Sequence, residues 1–332
     1  LPYGFDVNVA GTHSGGPPNG YYPPHGKVPG LQDAPDDEYL TDRLTDEAVQ
    51  FIRDTADKNW MLYLTHFAVH TPIQAKRELV GKYESKSPGE LHNHVAMATM
   101  IQSVDDGIGR IMATLRELSL DDRTAIIFSS DNGGYGPATD MAPLKGYKGT
   151  YYEGGIRVPM FVRWPGKIDA GQKTNQPVAQ IDLYPTICDI AGITLPSDQT
   201  LDGTSLLPLL TGQTDALPKR SLFWHFPAYL QSYAKVTSEQ RDPLFRSRPC
   251  GIIRQGDWKL HEYFESGDLE LYNLRDDIGE RQNLADSNPT KRDELHQAMK
   301  QWRERTGAPV PDQPNPEFDA AAEAMAKAKA RK

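Results

Sequence analysis

Leu40, Leu44, Ala48, Phe51 and Ile52 fall on one helical face through TDRLTDEAVQFIRD, behind a Thr-Asp start signal, and predict a helix. The run NWMLYLT from Asn59 is apolar on successive positions, which predicts a parallel strand buried on both faces. Between about Leu91 and Leu118, the residues Ile101, Val104, Ile108, Ile111, Leu115 and Leu118 recur at three and four, predicting the longest helix. A turn at Ser119 to Asp122 leads into TAIIFSS, a second buried strand, and VPMFVRW follows a Gly-rich loop as a third. DLYPTICDIAG has an Asp cap, apolar residues at Leu183, Ile187 and Ile190, and a glycine stop at Gly192, which makes it a short helix. Strand, helix and strand alternate. The expected fold class is therefore α/β, a largely parallel sheet sandwiched by helices, with ligands beyond the carboxyl ends of its strands.

The character changes after about Leu217. CGIIRQGDWKLHEYFESGDLELYNL reads as short antiparallel strands turned at Gln-Gly and Ser-Gly, and a helix follows with Leu295, Met299 and Trp302 on one face. The expected division is a large α/β domain over 1–217, a smaller α+β domain of hairpins and a helix over 218–307, and a mobile tail over 308–332, Pro-rich and then Ala/Lys-rich. Leu1 to about Pro35, dense in Gly, Pro, Tyr and His, reads as a long ordered loop.

Composition narrows the function classes. A chain of 332 residues, 38% hydrophobic, can bury a substantial core. Its net charge of −9 argues against binding a phosphate backbone, which needs a clustered basic surface. No stretch approaches the roughly 20 apolar residues of a membrane-spanning helix. The two cysteines, Cys188 and Cys250, are too few for a disulfide framework or a zinc site and read as small buried apolar residues. The chain starts at Leu1 without Met or a basic-then-apolar leader, so the natural N-terminus is expected upstream.

Three loops after predicted strands carry candidate chemistry. THFAVHTP holds His66 and His70. SSDNGG holds Asp131 and Asn132, whose oxygens suit a hard cation such as calcium, beside glycines that let backbone approach a ligand. PLKGYKGTYYEGGIRVP holds Lys145 and Lys148, either of which can reach an anionic oxygen as a point charge. Taken singly, each has a plainer reading: Asp-Asn-Gly as a turn, the lysines as solvated charges, His70 as a strand end. Asp105-Asp106 reads as a helix surface feature.

The order and wording of these blocks resemble a known family. HFAVHTP, SVDDGIGRI, FSSDNGG, GYKGTYYEGGIRVPMFVRWPG, QIDLYPTICDIAGI, LDGTSLLPLL, RQGDWKL and ELYNLRDDIGERQNL are similar, in sequence order, to the signature blocks of the formylglycine-dependent sulfatases of the alkaline-phosphatase superfamily. The resemblance implies that Asp131 and Asn132 are two ligands of one calcium ion, with Asp131 also near the nucleophile. It implies that Lys148 and His70 contact the sulfate ester, and His225 is a further candidate for the substrate pocket. Implied substrates are a sulfated small molecule or polysaccharide, and the implied location is periplasmic or extracellular. The family's nucleophile, a formylglycine made from Cys-x-Pro-x-Arg, has no counterpart motif here: Cys250 has Arg254 four residues on, but Ile252 stands where proline belongs. The family's N-terminal Asp-Asp ligands and Gly-Lys-Trp-His segment are also absent, so the chain is expected to be an N-terminally truncated fragment, inactive alone. The competing readings are a phosphodiesterase or phosphonate hydrolase of the same superfamily, and a carbohydrate-binding relative without catalysis. Tyr21, Tyr22, Trp224, His225 and Tyr229 suggest the last of these.

Overall fold

The computed structural model describes residues 4–25, 28–31, 35–233, 239, 241–313, 316 and 318–330. Contacts within the chain gather it into two compact units: Leu1–Ile126 with Trp164–Gly166, and Ile127–Arg163 with Lys167–Lys332.

The first unit contains α1 (Leu40–Asp54), α2 (Val80–Glu84) and α3 (Val95–Glu117). Leu40, Leu44, Ala48 and Ile52 are buried on α1 as their spacing predicts. Tyr39, in extended backbone, precedes the helix without a side-chain cap, so Thr41 and Asp42 lie in the first turn and are not its caps. The helix α3 starts where the His94 side chain accepts a hydrogen bond from the Met97 N–H. Its buried face differs from the expected one: Met97, Met100, Ser103, Gly107 and Thr114 are buried with Leu115, whereas Ile101 is 54% exposed. Close approach to α1 is the reason. A Cβ on Gly107 would stand 2.5 Å from the Thr45 hydroxyl, and Ser103 donates to Asp42 across the same seam at 2.8 Å. Small residues set the contact there, so the largest apolar ones do not define it.

NWMLYLT forms no strand among the described residues. Trp60 and Leu62 pack on Ile52, Leu115 and Leu120, while Met61 and Tyr63 point outward, Tyr63 being 70% exposed. An extended segment without a ladder partner keeps the two-residue alternation and buries one side only. The described part of the first stretch is irregular; residues 4–9 are exposed, while Tyr21 stacks on Tyr39 and Tyr22 meets Tyr39 edge-on in the core.

The second unit begins inside β1 (Ile126–Ser129) and continues with α4 (Glu153–Ile156), β2 (Met160–Arg163), α5 (Leu183–Ala191) and α6 (Leu207–Leu210). Where a largely parallel sheet was expected, the strands β1 and β2 form a two-stranded sheet among the described residues. Gly192 ends α5 in a left-handed conformation, φ 67°, as its position predicts. Asp182 stands at the N-cap position of α5 as expected, but its side chain makes no cap bond to that helix. Its buried carboxylate pairs with Arg220 and accepts from the backbone N–H groups of Ala179 and Thr204, tying three segments together.

Next come β3 (Ser221–Phe226), β4 (Leu230–Gln231), β5 (Phe245–Ser247), β6 (Cys250–Gln255), β7 (Trp258–Tyr263), β8 (Leu269–Asn273), α7 (Pro289–Thr306) and α8 (Ala320–Ala330). The antiparallel order β3-β6-β7-β8 confirms the hairpins read from Gln-Gly and Ser-Gly, and Gly256 and Gly267 take the positive φ those turns require. Strand alternation gives this sheet two uses. Leu260, with Ile253 and Leu271, faces Leu295 and Met299 of α7 in an apolar core, and Glu262 on the same face meets Arg303. Lys259, His261 and Tyr263 point the other way, toward Tyr152 and Glu153. Where a mobile tail was expected, Ala-rich sequence forms α8, held by Glu323 to Arg248 at 2.6 Å.

Candidate active site

Two loops of the second unit are stitched together by backbone. Asn132 N–H donates to Asp131 Oδ1 at 2.9 Å and Ser130 Oγ to the Asn132 carbonyl at 3.0 Å, closing a tight turn after β1. Gly133 N–H donates to the Gly155 carbonyl and Lys148 N–H to the Gly134 carbonyl, both at 2.9 Å. A Cβ on Gly133 would lie 1.9 Å from the Gly154 carbonyl oxygen, so only glycine permits this approach. Sequence placed Asp131, Asn132 and Lys148 some sixteen residues apart, and this pairing makes them neighbours in one loop cluster.

Lys148 sits between Gly146 and Gly149, both at positive φ, in a turn closed by Thr150 Oγ1, which accepts from Tyr147 N–H at 3.1 Å. Its ammonium is half-buried and has no hydrogen-bond or carboxylate partner among the described residues. Lys145 is engaged. Its Nζ lies 4.0 Å from the centre of the Tyr152 ring and donates to the Glu280 carbonyl at 3.3 Å, so the expected solvated charge is a clamp. One lysine holds the loop and the other is left available.

Beneath the loop lies a buried ionic group that sequence reasoning missed. Lys259, fully buried, places its Nζ 3.0 Å from Glu153 and 2.9 Å from Glu280, and His261 Nε2 is 3.2 Å from Glu280. Burial alone would raise the Glu280 pKa, but Lys259 and the His261 hydrogen bond outweigh it and bring it down to about 2. Burial lowers the pKa of His261, leaving it a neutral donor. The signal was present in the RQGDWKL and DIGERQ blocks as unusual charge, without its destination.

His70 belongs to the first unit. Its Nδ1 lies 3.0 Å from the Thr71 carbonyl oxygen and 3.3 Å from the Thr71 hydroxyl; the contact to the carbonyl is a hydrogen bond in the Nδ1–H tautomer, and Nε2 has no hydrogen-bond partner among the described residues. Tyr21 Oη lies 2.8 and 2.9 Å from the Phe67 and His70 carbonyl oxygens, which share its one proton, and ties the loop to Tyr21. The Nδ1 of His66 is buried without a hydrogen-bond partner among the described residues, and burial lowers its pKa.

His225 lies on β3, its Nε2 2.7 Å from the Pro309 carbonyl and its ring beside Phe264 and Trp302. That is a packing position. Tyr21 and Tyr22 are core residues of the first unit; in the second, Trp224 packs on the Ile252 cluster and Tyr229 donates to Glu265 at 2.6 Å. Asp105 and Asp106 are exposed on α3, as read. Cys188 and Cys250 are free and buried, and burial pushes the Cys250 thiol up to about 12, far from a ready nucleophile.

Asp131 and Asn132 fit a hard cation by donor type: Asp131 is exposed with one carboxylate oxygen uncommitted, and the Asn132 side chain has no hydrogen-bond partner among the described residues. Two such oxygens are fewer than the six to eight that calcium takes. No cluster of three or more His, Cys, Asp or Glu is arranged for a metal among the described residues.

A sequence model of the family described as Sulfatase matches residues 4–193. The chain belongs to the sulfatase family. A second, described as N-sulphoglucosamine sulphohydrolase, C-terminal, matches residues 147–305 and so takes in both the Lys148 loop and the four-stranded sheet. The chain is 34% identical over 298 residues to a sulfatase of Formosa agariphila, covering 82% of this chain and 52% of that one. It is 29% identical over 296 residues to human steryl-sulfatase, covering 83% and 49% respectively. Among solved structures it resembles Ps i-CgsB in complex with k-i-k-neocarrahexaose, with TM-score 0.69 and 28% identity over 90% of this chain and 63% of that chain. The chain thus spans about half the length of the curated sulfatases it matches. No helix among the described residues is long and apolar enough to cross a membrane.

Proposed function

We propose that the protein hydrolyses a sulfate ester, of a carbohydrate or of a smaller alcohol, to the alcohol and inorganic sulfate. One observation carries the reading: the unpaired Lys148 ammonium is held on a rigid glycine-bounded turn beside the Asp131-Asn132 loop. A fixed cation there binds the sulfate before reaction and in the transition state without having to reorganise. His70 Nε2, when protonated, donates to the departing oxygen while Nδ1 stays on the Thr71 carbonyl. His70 and Lys148 belong to different units, and their joint action on one ester is part of the proposal. Asp131 and Asn132 would hold calcium, which supplies positive charge for the sulfate and the nucleophile. His225 has no part in this reading.

The Cys-x-Pro-x-Arg motif does not occur in these 332 residues, so by themselves they are expected to hold the anion without releasing sulfate. A largely parallel sheet sandwiched by helices, a domain boundary near residue 217 and a periplasmic or extracellular location belong to the same proposal. The likeness to Ps i-CgsB, solved in complex with k-i-k-neocarrahexaose, supports a sulfated carbohydrate as substrate.

The test is turnover by the full-length protein of 4-nitrophenyl sulfate and a sulfated oligosaccharide against bis-4-nitrophenyl phosphate and a phosphonate monoester. Sulfate release that falls in both Lys148→Ala and His70→Ala is expected. Faster turnover of the phosphorus esters would overturn the reading in favour of a phosphodiesterase or phosphonate hydrolase.

A further inference from the structure

Three arginines lie close in sequence on and around β5, and only one lacks a carboxylate. Arg241 is paired with Asp268 and Glu270, and Arg248 with Asp242, Glu265 and Glu323. Arg246 has no acidic partner among the described residues, in a chain of net charge −9. Its Nε donates to the Gln231 carbonyl at 2.7 Å and one Nη to the Lys148 carbonyl at 3.4 Å. The guanidinium lies 3.8 Å from the centre of the Tyr233 ring. These contacts fix the plane of the fork and leave its second Nη without a partner among the described residues.

The position ties this cation to the loops already described. The same Nη that reaches Lys148 is 3.0 Å from where a Cβ on Gly149 would stand. Tyr233, beneath the guanidinium, meets Tyr135 edge-on at 4.9 Å and Tyr147 at 5.9 Å; Tyr135 directly follows Gly134, and Tyr147 directly precedes Lys148. Arg246 and Tyr233 are both only half-buried. A pre-oriented guanidinium with its charge unanswered, backed by an aromatic ring and set against the backbone of the anion-binding lysine, is a second anion-recognising element.

We propose that Arg246 reads a second anionic group of the substrate, a sulfate or carboxylate on the same or the neighbouring sugar, so that the preferred substrates are polyanionic carbohydrates and not neutral alcohols carrying a single sulfate. This deepens the sulfate-ester reading and rests on it. A bidentate arginine contact to an oxyanion is charge-assisted and directional, and lysine at the same place supplies charge without the fork.

The experiment measures kcat/KM of the full-length protein for a disulfated or uronate-containing oligosaccharide and for 4-nitrophenyl sulfate, in wild type, Arg246→Lys and Arg246→Ala. The selectivity ratio for the polyanion should fall about 10- to 100-fold in Arg246→Ala, mostly through KM, with Arg246→Lys between the two. The wild-type preference should also shrink with added salt. A ratio unchanged in Arg246→Ala, because both substrates lose equally or neither does, overturns the proposal and makes Arg246 a support of the Lys148 backbone. A wild type that releases sulfate from neither substrate overturns the sulfate-ester reading itself, and this inference with it.

Discussion

Lys259 Nζ lies 3.0 Å from Glu153 Oε1, joining the second residue of β7 to the first residue of α4. The pair is fully buried, and Glu280 closes it from a third segment at 2.9 Å, with its own backbone at φ 52° in the left-handed region disfavoured for residues with a side chain. Glu280 Oε2 also accepts from the Glu153 N–H at 2.5 Å. Glu153 starts the short helix whose glycines dock on Gly133 and on the Lys145 carbonyl. The ionic group therefore fastens the small sheet to the loop that presents Lys148.

Replacing Lys259 by Met should be severe, because it leaves two buried carboxylates facing each other, with Arg157 at 3.2 Å and Arg254 at 3.5 Å from Glu153 and His261 at 3.2 Å from Glu280 in partial compensation. Breaking a buried pair from one side costs about 3–5 kcal/mol. Urea denaturation of Lys259→Met should show a loss of that size; a change under about 1 kcal/mol would show that the group contributes little to the fold.

Acid should undo the same group. Glu280 falls from an ordinary 4.5 to about 2 in the folded chain, so its contribution is fully present above about 4.5 and is lost as pH falls through about 2. His261, whose folded pKa is lowered, adds a loss in the same direction, beginning below its ordinary 6.5, because the unfolded chain takes up the proton first. Unfolding free energy followed from pH 7 to pH 2.5 should decline steadily, with a shallower acid limb in Glu280→Gln. A flat profile across that range would contradict the assignment.

Lys148→Ala and Lys145→Ala should separate chemistry from support. Removing the free ammonium should lower turnover of a sulfate ester by roughly 10² to 10³ in the full-length protein and leave the melting temperature almost unchanged. Removing Lys145 takes away a contact 4.0 Å from the Tyr152 ring and a bond to the Glu280 carbonyl, so it should cost about 1–2 kcal/mol of stability. Equal loss of activity with equal loss of stability in both variants would assign both lysines to the scaffold.

Gly133→Ala should be disruptive despite its small size. The added carbon would stand 1.9 Å from the Gly154 carbonyl oxygen, and backbone on both sides leaves nothing easy to move. Overpacking of this kind costs about 1–3 kcal/mol, and here it also parts the Asp131 loop from the Lys148 loop. Melting temperature and sulfate-ester turnover should fall together; wild-type values for both would mean that the two loops are not held as described.

Native thiol labelling should find both cysteines slow. Both are buried, and at pH 8 the Cys250 thiolate is a minute fraction when the thiol sits at about 12. Labelling with a disulfide reagent should proceed at the rate of unfolding, accelerating in urea. Rapid modification of Cys250 in the folded chain would contradict this.

The helices α1, α3 and α5 and the hairpins around Gly256 and Gly267 were legible because they follow from local periods and turn residues. Asp131, Asn132, Lys148 and His70 could be named from the sequence because the wording of their loops carries the family. Composition and spacing did not separate Lys145 from Lys148, two lysines in one glycine-rich loop; the family resemblance pointed to Lys148, while what holds Lys145, the Tyr152 ring and the carbonyl of Glu280, 135 positions away, came only from the fold. NWMLYLT looked like a buried strand, but strandhood depends on a hydrogen-bonded neighbour that composition does not specify. Glu153 and Lys259 stand 106 positions apart and look like ordinary surface charges until the fold removes water from around them. Local pattern fixes how a segment is shaped; which charges are desolvated, paired or left free is settled only when distant segments meet, because the energy of a charge depends on everything packed around it.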